Sequence, residues 1–246
     1  MLRIPFLALL LASACQEVPA PAPAPVEVAD SRIHIGPFDL ACGPRFIATK
    51  TPTELLGATA VYDLVPEDAH WEAFNLTHIA LTDLRTDSMW TAPGSALSPT
   101  MRDVLAQLPV SGDYRIGATD AGELQHPPTS EPFNVVYYVS VVPEQQAAHP
   151  LGLEGVARAV RDAIAPAVEA TGLDEYDVRA GKLRFTVDAS GQISSSEIES
   201  SCGFPHLDAA THEALLALPA TWSPARNASG FPVSQTLYLS FGSLGC

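Results

Sequence analysis

The chain has 246 residues, of which 28 are acidic and 13 basic, giving a formal charge of −15. That balance excludes a phosphate backbone or an anionic lipid surface as partner for the surface as a whole. A hydrophobic fraction of 47% supplies apolar material for two modest cores once an N-terminal apolar run is set aside.

That run follows Arg3, spans Ile4–Ala12 and leads into Ser13-Ala14-Cys15. It is too short to cross a bilayer as a helix, which needs about 20 residues, so residues 1–14 are expected to be a cleaved bacterial export signal. Cys15 is expected to be the lipid anchor. The alternative is ordinary cleavage at Ala12-x-Ala14, leaving a soluble protein with a free Cys15. Gln16 stands where aspartate would suggest inner-membrane retention by analogy with enteric sorting, so the expected location is the outer membrane, facing the periplasm. Residues 15–31 hold the run Pro19-Ala20-Pro21-Ala22-Pro23-Ala24-Pro25, which favours polyproline II and reaches roughly 50 Å at ~3.1 Å per residue.

Residues 32–142 read as a mostly β domain of unassigned role. Arg32–Phe38, Ala58–Val65, Leu76–Leu84, Asp113–Ala118 and Phe133–Val142 are each rich in β-branched and aromatic residues, with polar breaks between them. The strong helix signal lies at Ser98-Pro99, a cap followed by proline in the first turn, before Met101, Val104, Leu105 and Leu108. The segment from Phe133 is expected to be a strand buried on both faces or joining two domains, with Tyr137 and Tyr138 as core packing.

Residues 143–246 read as a second domain. It opens with a helix over Leu153–Ile164. Gly181–Asp188 then alternates, with Leu183, Phe185 and Val187 on one face. Asp188-Ala189-Ser190-Gly191 is a hairpin turn, in which Asp bonds its own backbone and Gly takes positive φ. In the return strand Ile193 and Ile198 have opposite parity, so either a bulge separates them or one faces water. Leu207, Ala210, Ala214, Leu215 and Leu218 give helical spacing closed by Pro219, and Trp222-Ser223-Pro224-Ala225 leads into an alternating strand that ends at Phe241.

This ordered set resembles the C-terminal domain of TonB-family proteins. Extra residues around Leu173–Val178, and Cys202 where a small polar residue is usual, depart from that pattern. The resemblance implies an α+β fold: a ββαβ antiparallel sheet with a packed helix, here preceded by the mostly β domain. It also implies binding without catalysis, in which a periplasmic segment of an outer-membrane receptor or transport complex pairs with the open edge of the last strand. Carried onto this sequence, that edge comprises Val233, Ser234, Thr236, Tyr238 and Ser240. A homodimer through the same edge is a further possibility. In the TonB-like sheet order Cys202 and Cys246 fall at one end of the sheet, which implies a disulfide between them; buried free thiols, or a bridge involving Cys42, are the alternatives. Force transfer is not expected, because the family's transmembrane helix and long rod have no counterpart here. A second reading makes the protein a structural envelope lipoprotein that scaffolds a complex through its β-rich domain, with the last edge already covered.

Catalytic and cofactor signatures are lacking. His212-Glu213 begins a zinc-protease helix motif, but the second histidine position is Leu216. The turn at Asp188 has no second carboxylate at calcium-ligand spacing. No enzyme activity, metal, cofactor or nucleic acid is expected.

Overall fold

The structure, a computed structural model, describes residues 33–35, 38–71, 74–120, 135–173, 178–219 and 221–243. The export signal, Cys15, the tether and Cys246 lie outside the described residues. In chain order the elements are β1 (Ile33–Ile35), β2 (Phe38–Gly43), β3 (Ala48–Lys50), α1 (Pro52–Gly57), β4 (Leu76–Asp83), β5 (Ser88–Pro93), α2 (Pro99–Leu105), β6 (Asp113–Asp120) and β7 (Val135–Val141). There follow α3 (Gly152–Thr171), β8 (Ala180–Val187), β9 (Ile193–Ser200), α4 (Pro205–Leu216), β10 (Ala225–Arg226), β11 (Pro232–Val233) and β12 (Gln235–Gly242). The fold is α+β.

Ten of these strands form two five-stranded sheets, and β10 pairs with β11 in a two-stranded one. The first runs β3-β7-β6-β4-β5, antiparallel except for the β3–β7 pair. Ile79 and Leu81 of β4, Tyr114 and Ile116 of β6, and Val139 and Val141 of β7 bury against Met101 and Leu105 of α2. α2 starts where its cap predicts, with Met101 N–H donating to Ser98 Oγ at 3.2 Å. Ala58–Val65 departs from the expected strand. Asp63 accepts hydrogen bonds from the N–H groups of Thr59 and Ala60 at 2.8 and 2.9 Å, and that carboxylate folds Val61–Leu64 into a 3₁₀ turn. Val61, Leu64 and Val65 are buried in this conformation too, so apolar content alone did not specify a strand.

The second sheet runs β1-β2-β12-β8-β9 and is antiparallel throughout. Its inner face joins Phe38, Leu40 and Cys42 of β2 to Leu237, Leu239 and Phe241 of β12 and to Leu183, Phe185 and Val187 of β8. α3 covers that face with Val156, Val160, Ile164 and Val168, one side of a helix. The helix runs past Ile164 and through Pro166 because Val168 belongs to the same core, and it stops at Gly172 in the left-handed conformation. α4 adds Leu207 and Leu215.

Two features of this sheet refine the sequence reading. The register between β8 and β9 shifts from Val187↔Ile193 to Thr186↔Ser195, so Ser194 is an extra residue and both Ile193 and Ile198 pack on the core. The N-terminal strands join a different sheet from the one expected. Ile33–Ile35 and Phe38–Gly43 pair within the second sheet rather than the first, because β2 alternates Phe38, Leu40 and Cys42 onto the face the helices cover.

Candidate protein-interaction site

Strand addition requires a row of unpaired N–H and C=O groups. At β12 that row is occupied from within the chain. Gly43 to Asp39 of β2 pair with Tyr238 to Gly242, and beyond the end of β2 the Thr236 N–H donates to Ser111 Oγ at 2.8 Å. Ser111 holds φ +65, a left-handed conformation uncommon outside glycine. Of the residues expected on an open edge, Val233 lies in β11 opposite Ala225, and Ser234 is an exposed link. Thr236, Tyr238 and Ser240 are in β12, opposite Thr186, Arg184 and Lys182 of β8. The assumption of a free edge is therefore corrected: β2 supplies the neighbouring strand.

The outer face of β12 carries the more informative geometry. The Tyr238 ring is only 7% exposed, held between the Arg45 guanidinium at 5.6 Å and the Lys182 ammonium at 5.9 Å. Arg45 extends from the β2–β3 link. Its Nη2 meets Glu199 Oε1 at 2.9 Å and its Nη1 lies 3.8 Å from Asp113 Oδ2. Asp113 Oδ1 accepts from Ser140 Oγ at 2.6 Å, and Ser140 Oγ in turn accepts from the Phe46 N–H at 3.0 Å. Burial pushes the Asp113 carboxyl above the ordinary range, against the opposing effects of Ser140 and Arg45. Burial also raises the Tyr238 phenol. One guanidinium thus ties β6 of the first sheet to β9 and β12 of the second.

A cavity of about 510 Å³ opens beside this cluster, lined among others by Gly43, Arg45, Phe46, Lys182, Ser200 and Tyr238. Its rim continues into Ile47, which is 95% exposed, and Tyr138, which is 43% exposed with its ring centroid 5.2 Å from that of Phe46 and tilted by 31°. Tyr137 faces the first core against Trp71. The tyrosine pair is therefore split between core and surface by the alternation of the strand.

His212 and His149 make contacts within the fold. His212 Nε2 is 2.7 Å from Ser196 Oγ and ties α4 to β9. His149 is buried against the Trp222 ring, with Nε2 3.2 Å from the Pro219 carbonyl oxygen. Among the described residues no group of three or more His, Cys, Asp and Glu is placed to hold a metal ion, and no helix is long and apolar enough to cross a membrane. Cys42 and Cys202 are buried free thiols, pushed up by burial to about 12 and about 11. The partner expected for Cys202, Cys246, lies outside the described residues. A Cβ placed on Gly242 would come within 3.3 Å of the Cys202 Cβ, so the end of β12 does lead the chain past this thiol.

Sequence reasoning missed Arg45, Phe46, Ile47, Lys182 and Ser111. A cation beside an aromatic in Pro44-Arg45-Phe46-Ile47 was the one local signal, and its meaning depends on partners from three distant strands. Comparison with protein-family models, with curated proteins and with solved structures finds no match to this chain.

Proposed function

We propose that this protein is an exported, lipid-anchored scaffold of a bacterial cell envelope, built on a TonB-like module that does not capture peptides at its last strand. The observation that carries this reading is the pairing of β2 with β12. The order β9-β8-β12 with α4 against the sheet supports a TonB-like arrangement, and the segment around Cys15 supports the anchor. In that arrangement the last strand would be open to a receptor segment, and here it is filled.

β2 is not a removable guard. Phe38 and Leu40 are both fully buried, and returning two such side chains to water costs about 3–6 kcal/mol at 1.5–3 kcal/mol each. A competing segment would have to offset that cost before gaining any affinity, a handicap of roughly 10²–10⁴-fold. Contact with an envelope partner therefore uses other surfaces, and no motor-driven pulling is expected.

Photo-crosslinkers placed in living cells at Thr236 and Ser240, and separately around Ile47 and Tyr138, test the reading. Crosslinks to an envelope protein from the second group alone are expected. A receptor segment attached through the β12 positions would return the protein to strand capture. Palmitate labelling abolished by Cys15→Ser tests the anchor, and unchanged labelling would remove it.

A further inference from the structure

The surface centred on Ile47 combines three features, of exposure, shape and charge. The first is an aliphatic side chain left 95% exposed on a fixed backbone. The loop is pinned at Arg45 by Glu199 and Asp113, at Phe46 by Ser140, and at Ala48 by β3 pairing with β7. The exposure of Ile47 is therefore built in, and with Phe46 and the 43% exposed Tyr138 it makes a contiguous apolar patch, the arrangement that marks interaction surfaces.

The second is shape. Besides the cavity of about 510 Å³, two depressions of about 390 Å³ each adjoin Ile47, one reaching Tyr138 and the other Pro66. Three concavities in series around one side chain suit successive side chains of an extended segment better than a compact ligand.

The third is charge. Arg45 is neutralised by its two carboxylates, but no carboxylate among the described residues is within ion-pair distance of the Lys182 ammonium, which rests over the Tyr238 ring. This cation, whose charge also reaches Asp113, offers one carboxylate a local partner at the head of the groove, while the net charge of −15 works against long-range attraction of an acidic segment.

We propose that this groove docks an extended segment of a partner protein that carries a carboxylate next to an apolar side chain, the carboxylate on Lys182 and the apolar side chain against Ile47, Phe46 and Tyr138. The proposal rests on the scaffold reading and locates its contact. An anionic membrane is the poorer occupant because one aliphatic side chain and one available cation face a strongly acidic body. A second copy presents the same cation to the same cation and adds its own net charge of −15 to the long-range repulsion.

The test uses the purified protein carrying Cys15→Ser and a fluorescein-labelled octapeptide of alternating aspartate and leucine, with its lysine-for-aspartate counterpart as control. Anisotropy is expected to show salt-sensitive binding of the acidic peptide alone. Ile47→Ser and Lys182→Glu are each expected to weaken it by roughly tenfold or more, with circular dichroism and melting temperature unchanged. Equal binding of both peptides, indifference to both substitutions, preferential binding to phosphatidylglycerol vesicles, or a concentration-dependent dimer abolished by Ile47→Ser would each overturn the proposal. If crosslinks from the Ile47 region still identify an envelope partner while the peptide fails, the scaffold stands and only the occupant chosen here is wrong. If crosslinkers across the whole surface attach nothing, the scaffold reading falls as well.

Discussion

Asp113 shows how one side chain links the two cores. Its carboxyl is raised chiefly by burial, so folding shifts it toward the protonated form relative to the unfolded chain. Its stabilising contribution is greatest below the unfolded carboxylate value and is lost as pH rises through the raised folded value. Asp113→Asn keeps an acceptor for Ser140 and removes the ionisation. Its melting temperature should exceed that of the parent at pH 7, with the difference shrinking as pH falls into the carboxylate range; a difference constant with pH would contradict this origin. Gly191 is constrained differently. It sits at φ +82, and a Cβ there would lie 2.0 Å from the Trp222 carbonyl oxygen. Gly191→Ala is expected to cost roughly 2–4 kcal/mol, measured by denaturant unfolding. A loss below the cost of φ alone would mean that the Trp222 segment yields easily.

At the scale of elements, β2 decides what β12 can do. Leu40→Ala should destabilise the fold by about 2–5 kcal/mol. If β2 were a loosely docked strand, the same change would leave unfolding nearly untouched while opening the edge. β9 is a free edge among the described residues, but its register shifts and its Glu197 and Glu199 side chains blunt it against addition. Much at this scale was legible in the sequence. Alternation marked β8 and β12, Ser98-Pro99 marked α2, and the opposite parity of Ile193 and Ile198 called for either a bulge or a solvent-facing isoleucine, of which the bulge is what forms. The turn at Val61–Leu64 was not legible, since Asp63 acts through backbone N–H groups while the apolar residues around it suit a strand equally well.

For the molecule as a whole, the sequence left open which strands meet. Phe38, Leu40 and Cys42 alternate as any half-buried strand does, and nothing local says that their partner lies about two hundred residues away in β12. The groove was illegible for the same reason, because Arg45 gains its meaning from Asp113, Glu199 and Tyr238, each on a different strand. The N-terminal strand β2 limits what the last strand can bind.

The most direct test of that closure is hydrogen exchange at β12. With Thr236 N–H directed to Ser111, strand alternation directs Tyr238 and Ser240 N–H toward β2 and Leu237 and Leu239 N–H toward β8. Residue-resolved exchange should find Tyr238 and Ser240 as slow as Leu237 and Leu239, all exchanging only with global unfolding. Fast exchange at the even-numbered amides beside slow odd-numbered ones would show an open edge and contradict the closure of β12 by β2 on which the proposed scaffold rests.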